Sequence, residues 1–117
     1  MSDDCIFCGI IEGRVPADIV HETARTVAFR DINPMAPVHV LVVPRQHVEN
    51  AAALGPEHAE DLVAMLIAAK EVADAEGIGL PDRGYRLIFN VGPDALNSVP
   101  HLHLHVVGGR LLNWQPG

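Results

Sequence analysis

Seven residues near the C-terminus, His101-Leu102-His103-Leu104-His105-Val106-Val107, alternate polar and apolar with a period of two. That period belongs to an extended strand: Leu102, Leu104 and Val106 fall on one face, and the three histidines on the other. The pattern therefore predicts a strand over Leu102 to Val107 with a core on one side and a row of imidazoles on the other.

Other segments supply neighbours for that strand. Ile19 to Glu22 and Thr26 to Arg30 are short strand candidates separated by polar turn residues. Asp31 to Pro37 contains two prolines and reads as a loop. Val38 to Val43, rich in β-branched residues and closed by Pro44, reads as a buried strand. Tyr85 to Val91 is a further strand, followed by a loop over Gly92 to Pro100. One long helix is expected from about Pro56 to Glu76: proline suits a first helical position, Glu57 and Glu60 favour the positive start, and Gly77 suits the end. Leu62, Val63, Leu66, Ile67 and Ala73 make its expected apolar face. The apolar residues of Cys5 to Ile11 allow one or two further turns of helix before Pro16. The expected fold is α+β, with about five strands in a largely antiparallel sheet, one long helix and a short N-terminal helix.

The chain has 117 residues, enough for one compact domain and one core. Composition is that of a folded protein, 49% hydrophobic and 20% charged. No apolar run approaches the roughly 20 residues that span a membrane. The acidic start Met1-Ser2-Asp3-Asp4 is the reverse of a targeting segment, so the cytoplasm is the expected location. Net charge is −7, which disfavours a phosphate polymer as partner. A mononucleotide is compatible with that charge, because backbone N–H groups and a few histidines can bind phosphate in a pocket.

Three aligned imidazoles beside a Gly- and Asn-containing loop suit phosphorus chemistry. A neutral imidazole is a good nucleophile at pH 7, and a neighbour can donate a proton or stabilise charge. The plain alternatives are a solvated strand face or an adventitious metal site. Cys5 and Cys8 form a CxxC pair that is compatible with a redox pair, half of a zinc site or two buried thiols. His39 taken alone reads as a satisfied core histidine. His21 and His58 read as surface residues near a strand end and a helix start.

The HxHxH run followed by Val-Val-Gly-Gly-Arg, with Asp31-Ile-Asn-Pro-Met-Ala-Pro-Val-His39 upstream, resembles the histidine triad (HIT) family of nucleotide hydrolases and transferases. The similarity is greatest to its Hint branch, the nucleoside phosphoramidases, and runs from Cys5 to the C-terminus, so residues 1–117 are expected to be a single HIT domain. The resemblance implies His103 as nucleophile at the α-phosphorus, His105 at the phosphate, and the backbone around His101 fixing the tautomer of His103. It implies His39 as an orienting partner, Ser98 as an aid to protonating the departing amine, and Asn90 at the phosphate. Asp31 would accept hydrogen bonds from ribose hydroxyls, and Ile6, Phe7, Ile10, Phe29, Ile32 and Leu41 would form a purine slot. Trp114 would reach the active site of a partner subunit in a homodimer.

Some members of the family bind structural zinc through a cysteine pair and two histidines. The matching residues are Cys5, Cys8, His47 and His101, so the resemblance implies structural zinc, with no catalytic metal and no organic cofactor. One departure stands out: many members read Ala-Gly-Gln ahead of the phosphate-loop Ser or Thr, where this chain has Ala95-Leu96-Asn97. Leucine does not readily take positive φ and carries bulk toward the phosphate. The expected activity is cleavage of a purine nucleoside 5′-phosphoramidate or related adenylated compound to the nucleoside monophosphate. A dinucleoside polyphosphate hydrolase, a DNA-deadenylating relative and a regulatory nucleotide-binding module are the competing readings. The acidic charge argues against the second of these, and no membrane or nucleic-acid partner is expected.

Overall fold

A computed structural model describes residues 5–115. The acidic start, Met1 to Asp4, lies outside the described residues, as do Pro116 and Gly117. Five strands form one antiparallel sheet: β1 (Ile19–Glu22), β2 (Thr26–Arg30), β3 (Val38–Pro44), β4 (Tyr85–Ile88) and β5 (Leu104–Gly108), in the order β1-β2-β3-β5-β4. Helix α1 (Ile6–Ile11) covers one face and helix α2 (Ala59–Ala75) the other.

Strand β3 is central and, apart from His39, apolar because both of its faces are buried. Val40 and Val42 point toward α2, with Ala28 of β2 and Leu104 and Val106 of β5 beside them. Leu41 and Val43 point the other way and pack with Val27, Phe29 and residues of α1. Register places Leu41 opposite both Phe29 and His105, so these three side chains share the α1 face.

Three sequence expectations shift at their edges. β4 stops at Ile88 rather than Val91, and β5 begins at Leu104 rather than Leu102. The reason is shared: the Leu102 N–H donates to the Val48 carbonyl at 2.6 Å, which pulls His101 to His103 off the ladder. Asn90 and Val91 then have no strand to pair with. The long helix opens with a 3₁₀ turn, Pro56–His58, before α2 starts at Ala59. There His58 Nδ1 accepts the Gly55 N–H at 2.9 Å, so this histidine holds the turn instead of standing free. His21 is likewise paired, its Nε2 lying 3.0 Å from Glu71 of α2.

The expected apolar face of α2 is corrected more substantially. The sheet receives Met65, Ala68, Ala69, Val72 and Ala73, while Val63, Leu66 and Ile67 remain about half exposed. Apolar residues surround much of this helix, and periodicity alone does not choose between two stripes. Contact with the sheet selects the stripe that carries three alanines, which permit close approach. Ion pairs hold both ends of α2: Arg25 donates to Asp61 at 2.8 Å, and Arg30 grips Glu76 at 2.7 and 3.0 Å. Gly77, at φ +76°, ends the helix in the left-handed conformation that glycine takes without strain. Among the described residues no helix is long and apolar enough to cross a membrane.

Candidate active site

The sheet's α1 face carries the histidines. His105 lies in β5, and His101 and His103 precede it, yet all three imidazoles fall on the expected side. Ring centroids of His103 and His105 are 5.0 Å apart. Phe7 of α1 packs edge-on against His103 and His101, with centroids at 5.1 and 6.0 Å. His101 is fully buried, whereas His103 and His105 keep part of their surface open.

Backbone groups fix which nitrogen of each ring holds the proton. His103 Nδ1 lies 2.7 Å from the His101 carbonyl, an acceptor only, so Nδ1 carries the hydrogen and Nε2 the lone pair. Met35 N–H donates to His39 Nδ1 at 3.0 Å. His39 Nε2 is therefore the protonated nitrogen, and it donates to His105 Nδ1 at 2.9 Å. That leaves N–H at His105 Nε2, which lies 3.4 Å from Asn90 Nδ2. Two donors at that spacing do not bond each other but can share one anionic oxygen. The Met35 contribution comes from backbone, so no side-chain pattern could have announced it.

Burial favours the neutral form of His105 and His39. His105 is pushed down to about 4, first by burial and then by the charges of His103 and His39, against an opposing pull from Asp31. Burial also lowers His39, again opposed by Asp31, whose Oδ2 is 3.4 Å from His39 Nε2. In the folded site His105 is thus a neutral N–H donor.

A cavity of about 480 Å³ opens beside these rings. Ile6, Phe7 and Ile10 of α1, with Phe29 and Leu41 of the sheet, form its apolar end. Asp31 and Ile32 border it after β2, and Asn90, Ser98, His103 and His105 form its polar end. His39 sits behind the wall and acts on it through His105. Every residue expected in the purine slot thus lines one space. Trp114 does not: it is 89% exposed and borders no part of this cavity. Leu96, which the sequence singled out as a departure, also lines it, at φ 60° and ψ 33°.

Around His101, three further side chains converge: Cys5, Cys8 and His47. Cys5 Sγ lies 3.3 Å from His101 Nδ1, Cys8 Sγ 3.3 Å from His47 Nδ1, and the two Nδ1 atoms are 3.2 Å apart. His101 Nε2 lies 3.0 Å from the Pro44 carbonyl and so donates to it, which leaves Nδ1 unprotonated and turned into the cluster. Tetrahedral zinc, bound at about 2.0 Å to nitrogen and 2.3 Å to sulfur, spaces its ligand atoms about 3.3 to 3.8 Å apart. The donor set and spacings fit, and the Pro44 carbonyl is the outer partner that a ligating histidine requires. Without metal, burial, reinforced by Cys5, pushes the Cys8 thiol up to about 11. A βαβ setting for a redox CxxC is not what surrounds this pair; two imidazoles are. Asp31, His39 and His105 also cluster, but their facing nitrogens are already joined by the hydrogen bonds described above.

A five-stranded antiparallel sheet with a histidine row over a mixed apolar and polar cavity, backed by a Cys2His2 metal cluster, defines the class. The sequence profile of the HIT domain matches residues 12–112, and the chain belongs to that family. An uncharacterised HIT-like protein of Synechococcus elongatus is 45% identical over 117 residues, covering all of both chains. A 14 kDa zinc-binding protein of Zea mays is 42% identical over 114 residues, 96% of this chain and 87% of that one. The crystal structure of a HIT family hydrolase from Legionella pneumophila superposes with a TM-score of 0.93 at 43% identity, covering 97% of this chain and 100% of that one.

Proposed function

We propose that this protein is a nucleotide hydrolase that cleaves the P–N bond of purine nucleoside 5′-phosphoramidates through a nucleotidyl-His103 intermediate. The observation that carries the reading is the hydrogen bond from His103 Nδ1 to the His101 carbonyl, which leaves Nε2 unprotonated at the cavity. The hydrolase relative from Legionella supports the reaction class.

In this reading the purine lies between α1 and the Phe29–Leu41 surface, the ribose hydroxyls donate to Asp31, and the phosphate lies against His103. His103 Nε2 attacks the α-phosphorus, a P–N bond to imidazole forms, and the P–N bond to the amine breaks. The amine leaves after taking one proton, delivered through the Ser98 hydroxyl. The His101 carbonyl, already accepting from Nδ1–H, stabilises the imidazolium character of the intermediate. His105 Nε2–H and Asn90 donate to the same phosphoryl oxygens, where charge is greatest. Water then attacks phosphorus, its hydroxyl stays there, its proton balances the one given to the amine, and His103 returns to the neutral form. Net consumption is one water per bond.

Cys5, Cys8, His47 and His101 would hold zinc in a structural role; the maize relative is named as zinc-binding. When bound, the metal ties α1 to the segment that presents His103. A homodimer completes the reading. Strand β4 is an open sheet edge, and Val63, Leu66 and Ile67 of α2 form an exposed apolar stripe at helical spacing. Trp114, exposed in one chain, would reach the other.

Mass spectrometry of enzyme quenched during turnover of an AMP amidate tests the proposal. A mass increase of one nucleotidyl group on His103 is expected. His103→Ala should lose all turnover while keeping AMP affinity within a small factor, and His105→Ala should slow turnover by about 10²–10⁴. Parent-like turnover by the His103 variant would overturn the mechanism.

A further inference from the structure

Leu96 combines three properties that rarely meet in one residue. Its backbone is left-handed, at φ 60°, a conformation that disfavours a leucine by about a factor of ten or more. Its side chain is 86% exposed, so burial within the chain offsets little of that. Yet it lines the active cavity. Among the described residues it is the one non-glycine with positive φ. The loop imposes the conformation: Gly92 O accepts from Asn97 N at 3.2 Å, and Pro93 O from Leu96 N at 3.0 Å.

The order of strands sets the direction of the cavity, and the loop carrying Ser98 sets the place of Leu96. Phe29 lies on β2, Leu41 on β3, His105 on β5, and Asn90 just beyond β4, so the space runs across the sheet from apolar slot to histidines to Asn90. Leu96 belongs to the β4–β5 loop, two residues before Ser98, and lines the cavity with it and with His103 and His105. Given the proposed placement of base and phosphorus, on which this inference rests, the group beyond phosphorus is the one that leaves.

We infer that Leu96 is the apolar lip of the leaving-group subsite and selects phosphoramidates whose amine carries an alkyl or aryl substituent. A substituent resting on Leu96 removes apolar surface of both from water, about a fourfold gain for each methylene covered. Ammonia as leaving group has nothing to rest there. A polar or charged amine would lose solvation against the leucine. The apolar exposure of Leu96 in the free enzyme is then removed only when a substituted substrate is bound.

The test compares kcat/KM for adenosine 5′-phosphoramidate with that for its N-butyl derivative, in the parent, Leu96→Gly and Leu96→Asn. Taking the ratio within each enzyme cancels any difference in folded fraction. Asparagine tolerates left-handed backbone, so it separates the side chain's apolarity from relief of the loop. The parent ratio should favour the butyl compound, and both variants should lower it about tenfold, with AMP binding by calorimetry unchanged within about twofold. Equal ratios in all three enzymes, or a ratio retained by the asparagine variant, overturn the inference while leaving the proposed hydrolysis standing. A Leu96 effect confined to oligomeric state overturns it as well. Failure of the parent to turn over either compound sinks both readings together.

Discussion

At the scale of single residues, the site is organised by proton placement more than by charge. Met35 N–H, His39 and His105 form a one-directional chain of donors that ends in an N–H at the cavity. Its rings must stay neutral to work, and that couples stability to pH. An unfolded histidine titrates near 6.5, whereas folded His105 is held at about 4 by burial and by His103 and His39, with Asp31 opposing. Between those values the unfolded chain binds more protons, so this contribution is complete above pH 6.5 and is lost as pH falls toward 4. Denaturant titrations at pH 7 and pH 4.5 should differ by on the order of 2 kcal/mol through this residue, and His105→Asn should flatten that part of the profile. An unchanged slope in the variant would refute the burial account. The alternation around His105 was legible in the sequence, as were Asp31 and Asn90 through the family resemblance. Its neutral state was not, because desolvation depends on what packs around the ring.

Among elements, α1 is the one whose position rests on distant residues. Six residues make too short a helix to persist by themselves. Its start is fixed by Cys5, whose Sγ accepts the Cys8 N–H at 3.2 Å, and its flank by Phe7 against Phe29 and two histidines. Zinc at Cys5, Cys8, His47 and His101 would join this helix to the segment before β5. Cys8→Ser is therefore expected to lower bound zinc, read by elemental analysis, and to raise the KM for an AMP amidate more than it lowers kcat, because Ile6, Phe7 and Ile10 wall the purine end. Unaltered zinc content would end the assignment. The CxxC pair is plain in the sequence but ambiguous there. Its meaning depends on His47 and His101, separated from Cys8 by 39 and 93 positions.

For the whole molecule, the exposed stripe of α2 and the free β4 edge set the expectation of a symmetric pair. Sequence periodicity pointed to Leu62, Val63, Leu66, Ile67 and Ala73 as the core stripe; the sheet kept Ala73 but took Met65, Ala68, Ala69 and Val72 in place of the others. The unused stripe is then available to a second copy. Sedimentation velocity should show a dimer for the parent and a monomer for Ile67→Glu. The single tryptophan, Trp114, should emit as a solvent-exposed indole in that variant and at shorter wavelength in the parent. A monomeric parent would remove the dimer from the proposed function.

By itself the sequence determined the local matters: strands β1 and β2 at their observed bounds, the central apolar strand, the long helix, and three histidines on one side of a strand. These follow from periodicity and turn chemistry, which act between residues close in the chain. Tertiary structure decided the rest. It chose the buried stripe of α2, pulled His101 and His103 off the ladder through Leu102 and Val48, set the tautomers through backbone carbonyls and amides, and held Leu96 in a left-handed turn. The first two depend on contacts between residues far apart in sequence, which the pattern of neighbours along a chain does not encode; the tautomers and the Leu96 turn are closed by groups two to five positions away, whose backbone directions only the folded loops set.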